Sequence, residues 1–127
     1  MAMTSAVDDQ QAAEGATLGA PEAISALLRA AGEPARLTIL QHLFEGPHRV
    51  RDLVDHLGLA QSTVSAHVAC LRECGLVEAR PVGRAVEYRL AHPDLVRGLL
   101  DATLRLLDAT GFAVLGCSGV PAARAVR

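Results

Sequence analysis

The sequence predicts a mainly α domain with one β-hairpin, a winged helix-turn-helix of five or six helices paired with a second copy through its terminal helices. Three observations predict it. Before residue 75, apolar residues recur at helical spacing in four short segments, the last two joined by a tight turn at Gly58. The texture then changes to period two on either side of Pro81-Val82-Gly83-Arg84, the pattern of a hairpin. A leucine-rich segment follows, carrying more apolar surface than one face of a lone helix can bury.

Each element follows from local chemistry. Residues 1–20, rich in Ala, Gly, Gln and acid, are expected to form a flexible N-terminal arm. Pro21-Glu22 opens the first helix, because proline suits the first turn and an acid there complements the dipole. Ile24, Leu27 and Leu28 follow helical spacing, Gly32 interrupts it, and Glu33-Pro34 restarts it. Leu37, Ile39, Leu40, Leu43 and Phe44 supply the buried side of a second helix that stops at Gly46-Pro47. Val50, Leu53, Val54 and Leu57 make a short third helix ended by Gly58 in a left-handed position. After Leu59-Ala60 a fourth helix runs to about Cys74, with Ser62 or its neighbour as cap and Gly75 as stop. Two such helices around a short Gly-containing turn are the helix-turn-helix pattern. Residues 76–80 and 85–90 read as paired strands with Arg84 near the tip, and Tyr88 and Phe44 read as core. The last helix starts near Pro93-Asp94 and carries Leu95, Val96, Leu99, Leu100, Leu104, Leu106 and Leu107. Burial against a second copy is the simplest home for them, so a homodimer is expected. The domain is thus placed at 21–110, with 111–127 as a flexible tail containing Cys117.

Composition narrows the function. The chain has 127 residues, half of them hydrophobic, which argues against disorder. The N-terminus lacks the basic and apolar stretches of a secretory signal, and no run reaches membrane-span length, so a cytoplasmic protein without membrane contact is expected. Twelve arginines against fourteen acids exclude a polycationic nucleic-acid coat, and any nucleic-acid contact must be local. Residues 49–97 hold seven arginines against six acids, whereas residues 1–48 hold two against six. No nucleophile–base set, phosphate loop or paired-carboxylate site emerges, so neither an enzyme nor a small organic substrate is expected. Three cysteines make a disulfide framework improbable in a reducing compartment. They leave inert thiols, a reactive thiol or metal-bound thiolates open.

At this point the order of elements is recognisable. The stretches Gly32-Glu33-Pro34-Ala35-Arg36-Leu37-Thr38-Ile39-Leu40, Leu59-Ala60-Gln61-Ser62-Thr63-Val64-Ser65-Ala66-His67 and Leu71-Arg72-Glu73-Cys74-Gly75-Leu76-Val77, with Gly83-Arg84 and Tyr88-Arg89-Leu90, resemble the ArsR/SmtB family of bacterial winged-helix metal-responsive repressors. Cys70-Leu71-Arg72-Glu73-Cys74-Gly75 with the tail residue Cys117 is similar to the family's CmtR-type cadmium/lead-sensing branch. That resemblance implies two cysteines on the recognition helix and one from the C-terminal region as ligands. Arg49-Val50-Arg51-Asp52-Leu53 stands where other members carry Cys-x-Cys, and the last helix opens His92-Pro93-Asp94 rather than Asp-x-His, which disfavours a zinc site there.

The fourth helix divides into faces at about 100° per residue. Val64, Val68 and Leu71 point to the core, whereas Ser62, Ser65, Ala69 and Arg72 form a small, polar stripe suited to a major groove. With Gln61 and Thr63 at the helix entrance, His67, and Arg84 on the wing, these are the expected contacts to double-stranded operator DNA. From the residues alone the stripe also reads as an ordinary solvated face. Cys70 and Cys74, at i and i+4, share another face with Cβ atoms about 6 Å apart. A third donor is needed, and Cys117 is the remaining cysteine. Three thiolates favour a soft effector ion, Cd(II) or Pb(II), with As(III) and Zn(II) less suited. Zn(II) would need a fourth ligand such as His67. Arg72 beside the pair would help stabilise thiolate in a redox switch, an alternative that stays open. A protein–protein dimerisation module without DNA binding is the alternative from another class. His42, His48, His56 and His92 show no ligand spacing and read as surface or packing residues.

Overall fold

A computed structural model describes residues 20–119. The expected arm, apart from its last residue, and residues 120–127 lie outside the described residues. The order is α1 (Pro21–Gly32), α2 (Pro34–Leu43), α3 (Val50–Leu57), α4 (Gln61–Glu73), β1 (Val77–Val82), β2 (Ala85–Leu90) and α5 (Pro93–Ala109), then a 3-10 turn over Ala113–Gly116. Among the described residues, five α-helices and one antiparallel hairpin make the winged helix-turn-helix.

Proline opens α1, α2 and α5, where its missing N–H would have had no helical partner. Between α1 and α2, Glu33 is extended and its carboxylate accepts from the Arg36 N–H at 2.9 Å, capping α2. The Asp52 carboxylate accepts from the Arg49 N–H at 2.9 Å and closes the start of α3. Gly58, at φ 68°, ends α3 and donates to the Val54 carbonyl at 2.8 Å. Three residues, 58–60, then link α3 to α4. Helix α4 begins at Gln61, but the expected side-chain cap from Ser62 or its neighbour is not made: the capping position is Ala60.

One core unites these elements. Ile39, Leu40 and Leu43 of α2, Leu53 of α3, Val64, Val68 and Leu71 of α4, Val77 and Leu90 of the hairpin, and Ala31 of α1 are all buried together. Each large side chain contributes roughly 1.5–3 kcal/mol of burial. Phe44 and Tyr88 are half-buried at its edge rather than inside it. The stripe Val64–Val68–Leu71 orients α4, so that its other side is turned outward.

The hairpin is longer than the sequence suggested. Val82 pairs with Ala85, leaving a two-residue loop of Gly83 and Arg84 instead of four. Gly83 takes the positive φ, 61°, that such a tight loop requires. Pro81 continues β1 because β1 is an edge strand, where a missing N–H goes unmissed. The other side of β2 is occupied: His48 and Tyr88 exchange backbone hydrogen bonds of 3.0 and 2.8 Å.

Of the 17 residues of α5, Val96 alone is buried. Arg97 lays its guanidinium 4.5 Å from the Phe44 ring centroid, tying α5 to the end of α2. Leu95, Leu104 and Leu106 remain 73%, 56% and 65% exposed, and Ile24, Leu27 and Leu28 of α1 are exposed as well. Leu28 of α1 and Leu37 of α2 meet Leu99 and Leu100 of α5 across an apolar crevice, so the three helices present adjoining apolar surfaces. No helix of the described residues is long and apolar enough to cross a membrane.

Candidate functional site

The outward side of α4 carries Gln61, Ser62, Thr63, Ser65, Ala69 and Arg72, all exposed. Ser65, Ala69, Arg72 and Glu73 line a cleft with Val50 at the start of α3 and Tyr88 of β2. Its walls are therefore the second helix of the helix-turn-helix and the wing. Small side chains at 65 and 69 leave the backbone of α4 open to approach, and Arg72 supplies the cation. Arg84 stands exposed at the hairpin tip. This surface can accept a polyanion edge-on, with hydroxyls that both donate and accept and two guanidinium groups for phosphate.

His67 departs from the expected set. Its ring is half-buried and turned toward the α1–α2 corner, with Nδ1 3.3 Å from Arg36 Nη1 and Nε2 3.8 Å from Glu33 Oε1. The Arg36 side chain also donates through Nε to the Ala30 carbonyl at 2.6 Å and through Nη2 to the Arg29 carbonyl at 3.2 Å. One guanidinium thus joins the C-terminal end of α1 to α4. His67 belongs to this clasp rather than to the Ser65–Arg72 face. Arg36 and Glu33 were not singled out as functional from sequence; Glu33-Pro34 marked a helix restart, within a stretch that carried the family resemblance.

Behind the Ser65–Arg72 stripe lie Cys70, half-buried, and Cys74, exposed at the C-cap of α4. Both are free thiols, one helical turn apart, and Cys70 is near enough to perturb Cys74. The Cys74 thiol is pushed above its ordinary pKa, by partial desolvation first and then by the charge and hydrogen bond of Cys70. Since Cys74 is exposed, the proximity of Cys70 is the cause that matters chemically. Glu73 adds to the rise and Arg36 opposes it, so the cation beside the pair is Arg36, where the sequence suggested Arg72.

Two neighbouring sulfur donors suit a soft metal ion. Cys117, exposed after the 3-10 turn, does not join them: among the described residues no three His, Cys, Asp or Glu side chains stand at ligand distance from a common point. The segment from Gly111, expected as a flexible tail, carries that turn, and Phe112 adopts the left-handed region at φ 60° as the chain leaves α5.

Comparison with known proteins locates this architecture. The model of the bacterial regulatory proteins of the arsR family matches residues 33–79, from the α2 cap into the wing. The probable mercury resistance operon repressor of Streptomyces lividans is 34% identical over 97 residues, 76% of either chain. The transcriptional regulator CmtR of Mycobacterium tuberculosis is 47% identical over 77 residues, covering 61% of this chain and slightly under two thirds, 65%, of its own. The NMR structure of that protein, described as a cadmium metal-sensor, superposes with a TM-score of 0.53 over 61% of this chain and 80% of its own, at 45% identity. A homodimeric winged helix-turn-helix DNA-binding domain from Mycobacterium bovis, 30% identical, superposes with a TM-score of 0.60 over 75% of this chain and 84% of its own.

Proposed function

The chain belongs to the arsR family of bacterial regulatory proteins, and on that premise we propose a homodimeric cytoplasmic repressor that leaves its operator when a soft metal ion occupies Cys70, Cys74 and Cys117. The family is regulatory, so the chain is a transcriptional regulator and not an enzyme. The observation that carries the metal reading is the placement of Cys70 beside Cys74 on the recognition helix, away from the Ser65–Arg72 cleft. A metal held there leaves the groove-facing side chains unobstructed and acts by changing how α4 is presented.

The DNA contacts are Gln61, Ser62, Thr63, Ser65 and Arg72 on α4, with Arg84 from the wing. The exposed leucines of α5 and the apolar side of α1 form the dimer contact, as supported by the homodimeric mycobacterial domain. Two copies set the recognition helices about one helical turn of DNA apart. The domain is residues 21–110, and the segment after it brings Cys117 to the thiol pair from its own protomer or the partner.

Three thiolates select a polarizable ion, Cd²⁺ or Pb²⁺, when bound. The cadmium-sensing relative supports this choice. A second reading, Hg²⁺, is favoured by the Streptomyces relative, since Hg²⁺ needs only two sulfurs and the structure brings two together. Fluorescence anisotropy with DNA from upstream of the gene tests the proposal. Metal-free protein should bind at low salt, and one equivalent of Cd²⁺ or Pb²⁺ per protomer should weaken binding by about 5- to 150-fold. Failure to bind at low salt would leave a dimerisation module. Binding that responds to peroxide or As(III) but to neither ion would favour the other thiol chemistries.

The raised Cys74 pKa sets the direction of the pH response. At neutral pH the thiol holds its proton, and metal must displace it. Apparent cadmium affinity should therefore rise with pH between roughly 6 and 8, by up to about tenfold per unit for each proton released. Isothermal titration in two buffers of different ionisation enthalpy reads the proton count. A flat profile with no proton release would contradict thiol ligation.

A further inference from the structure

Three histidines that the sequence scatters over fourteen positions come together in space. His42 of α2, His48 in the α2–α3 connection and His56 near the end of α3 form a closed triangle of imidazoles. The ring centroids are 4.6 Å apart for His42–His56, 5.5 Å for His48–His56 and 6.3 Å for His42–His48. Two imidazoles sharing one tetrahedral zinc have centroids about 5 Å apart, given Zn–N bonds of about 2.0–2.1 Å. The observed separations bracket that value.

Two further observations point to a ligand. His42 Nδ1 is buried and has no hydrogen-bond partner among the described residues, a costly state for an imidazole nitrogen. His48 Nδ1 lies 2.7 Å from the Gly46 carbonyl, which makes it the donor and leaves Nε2 as a free lone pair. A backbone carbonyl holding one imidazole nitrogen so that the other can bind metal is the usual support of a histidine ligand. His56, exposed on the outer side of α3, is free to turn.

We propose that His42, His48 and His56 form a second metal site, taking a borderline divalent transition ion of the Zn²⁺, Co²⁺ or Ni²⁺ class. Neutral imidazoles suit those ions, and water would occupy the fourth position. The rings do not yet converge, His56 lying stacked on His42 at 18°, so the site closes by rotation of His56. Its place gives it leverage. The His48 backbone is paired with Tyr88 of the wing, and His56 precedes the turn of the helix-turn-helix by two residues, so the ion braces α2, α3 and wing together. This site shares no residue with the cysteine set and stands or falls independently of the proposed heavy-metal response.

The test uses the full chain with Cys70→Ser, Cys74→Ser and Cys117→Ser combined, titrated with Co²⁺ and then Zn²⁺. The expected result is one Co²⁺ per protomer, with visible ligand-field bands, no sulfur-to-cobalt charge-transfer band, and displacement by one Zn²⁺. Adding His56→Gln should weaken Co²⁺ binding at least tenfold while leaving thermal melting unchanged, since His56 is exposed. His48→Gln should do the same, and if His42→Gln does not fold, the other two decide. A thiol-free protein that binds no Co²⁺, or binds it equally well with and without His56→Gln and His48→Gln, overturns the proposal.

Discussion

Replacing any one of Cys70, Cys74 or Cys117 by serine should lower cadmium affinity by more than 100-fold and abolish release from the operator, while metal-free DNA binding stays within about twofold. The size follows from the donor count. Losing a group that merely supports a ligand costs about 10- to 100-fold, so losing one of three ligands costs more. The selectivity follows from position. Cys74 and Cys117 are exposed and Cys70 is half-buried, so serine neither opens a cavity in the core nor touches the Ser65–Arg72 cleft. Competition against a fluorescent chelator measures the first effect and anisotropy on promoter DNA the second. Loss of affinity in Cys70→Ser and Cys74→Ser with Cys117→Ser unchanged would reduce the site to the thiol pair and favour the mercury reading.

A second large effect is expected at α5. Leu104 and Leu106 flank the side of α5 that meets α1 and α2, and both are more than half exposed. Covered by a second copy, each would contribute roughly 1.5–3 kcal/mol, and a carboxylate in its place adds the cost of burying an unpaired charge. The double variant Leu104→Glu/Leu106→Glu should therefore sediment as a monomer at concentrations where the parent is dimeric. Its operator affinity should fall by at least 100-fold, because one recognition helix cannot hold two half-sites. The monomer should keep its fold, since neither side chain joins the core of Ile39, Leu53 and Leu71. A variant that still sediments as a dimer and binds DNA normally would remove α5 from the interface.

Sequence and structure agree where the governing physics is local. The stripe Val64–Val68–Leu71 follows from helical period alone, and so do the neighbours Cys70 and Cys74, one turn apart. Pro34, Gly58 and Gly83 mark turns because the backbone there has few alternatives. Disagreement begins where pairing between distant residues decides. Pro81 argued for a loop, yet it extends β1 because its strand is an edge. The bridge between His48 and Tyr88 joins residues forty positions apart and had no local signal. His67 reads as a polar residue of an exposed helix until Arg36, thirty-one residues away, is seen holding it. The triangle of His42, His48 and His56 was invisible for the same reason: spacings of six and eight residues across two helices and a connection match no ligand pattern. Cys117 is the counterexample. Its thiol makes it a candidate ligand by residue type alone, but the structure leaves it apart from Cys70 and Cys74.

The thiol site can be questioned most directly through the bound ion itself. X-ray absorption at the cadmium edge, on reduced protein loaded with one Cd²⁺ per protomer, counts its sulfur neighbours. Three sulfurs in the parent, falling to two in Cys117→Ser, is the result predicted here. Two or fewer sulfurs in the parent, unchanged by Cys117→Ser, would contradict it.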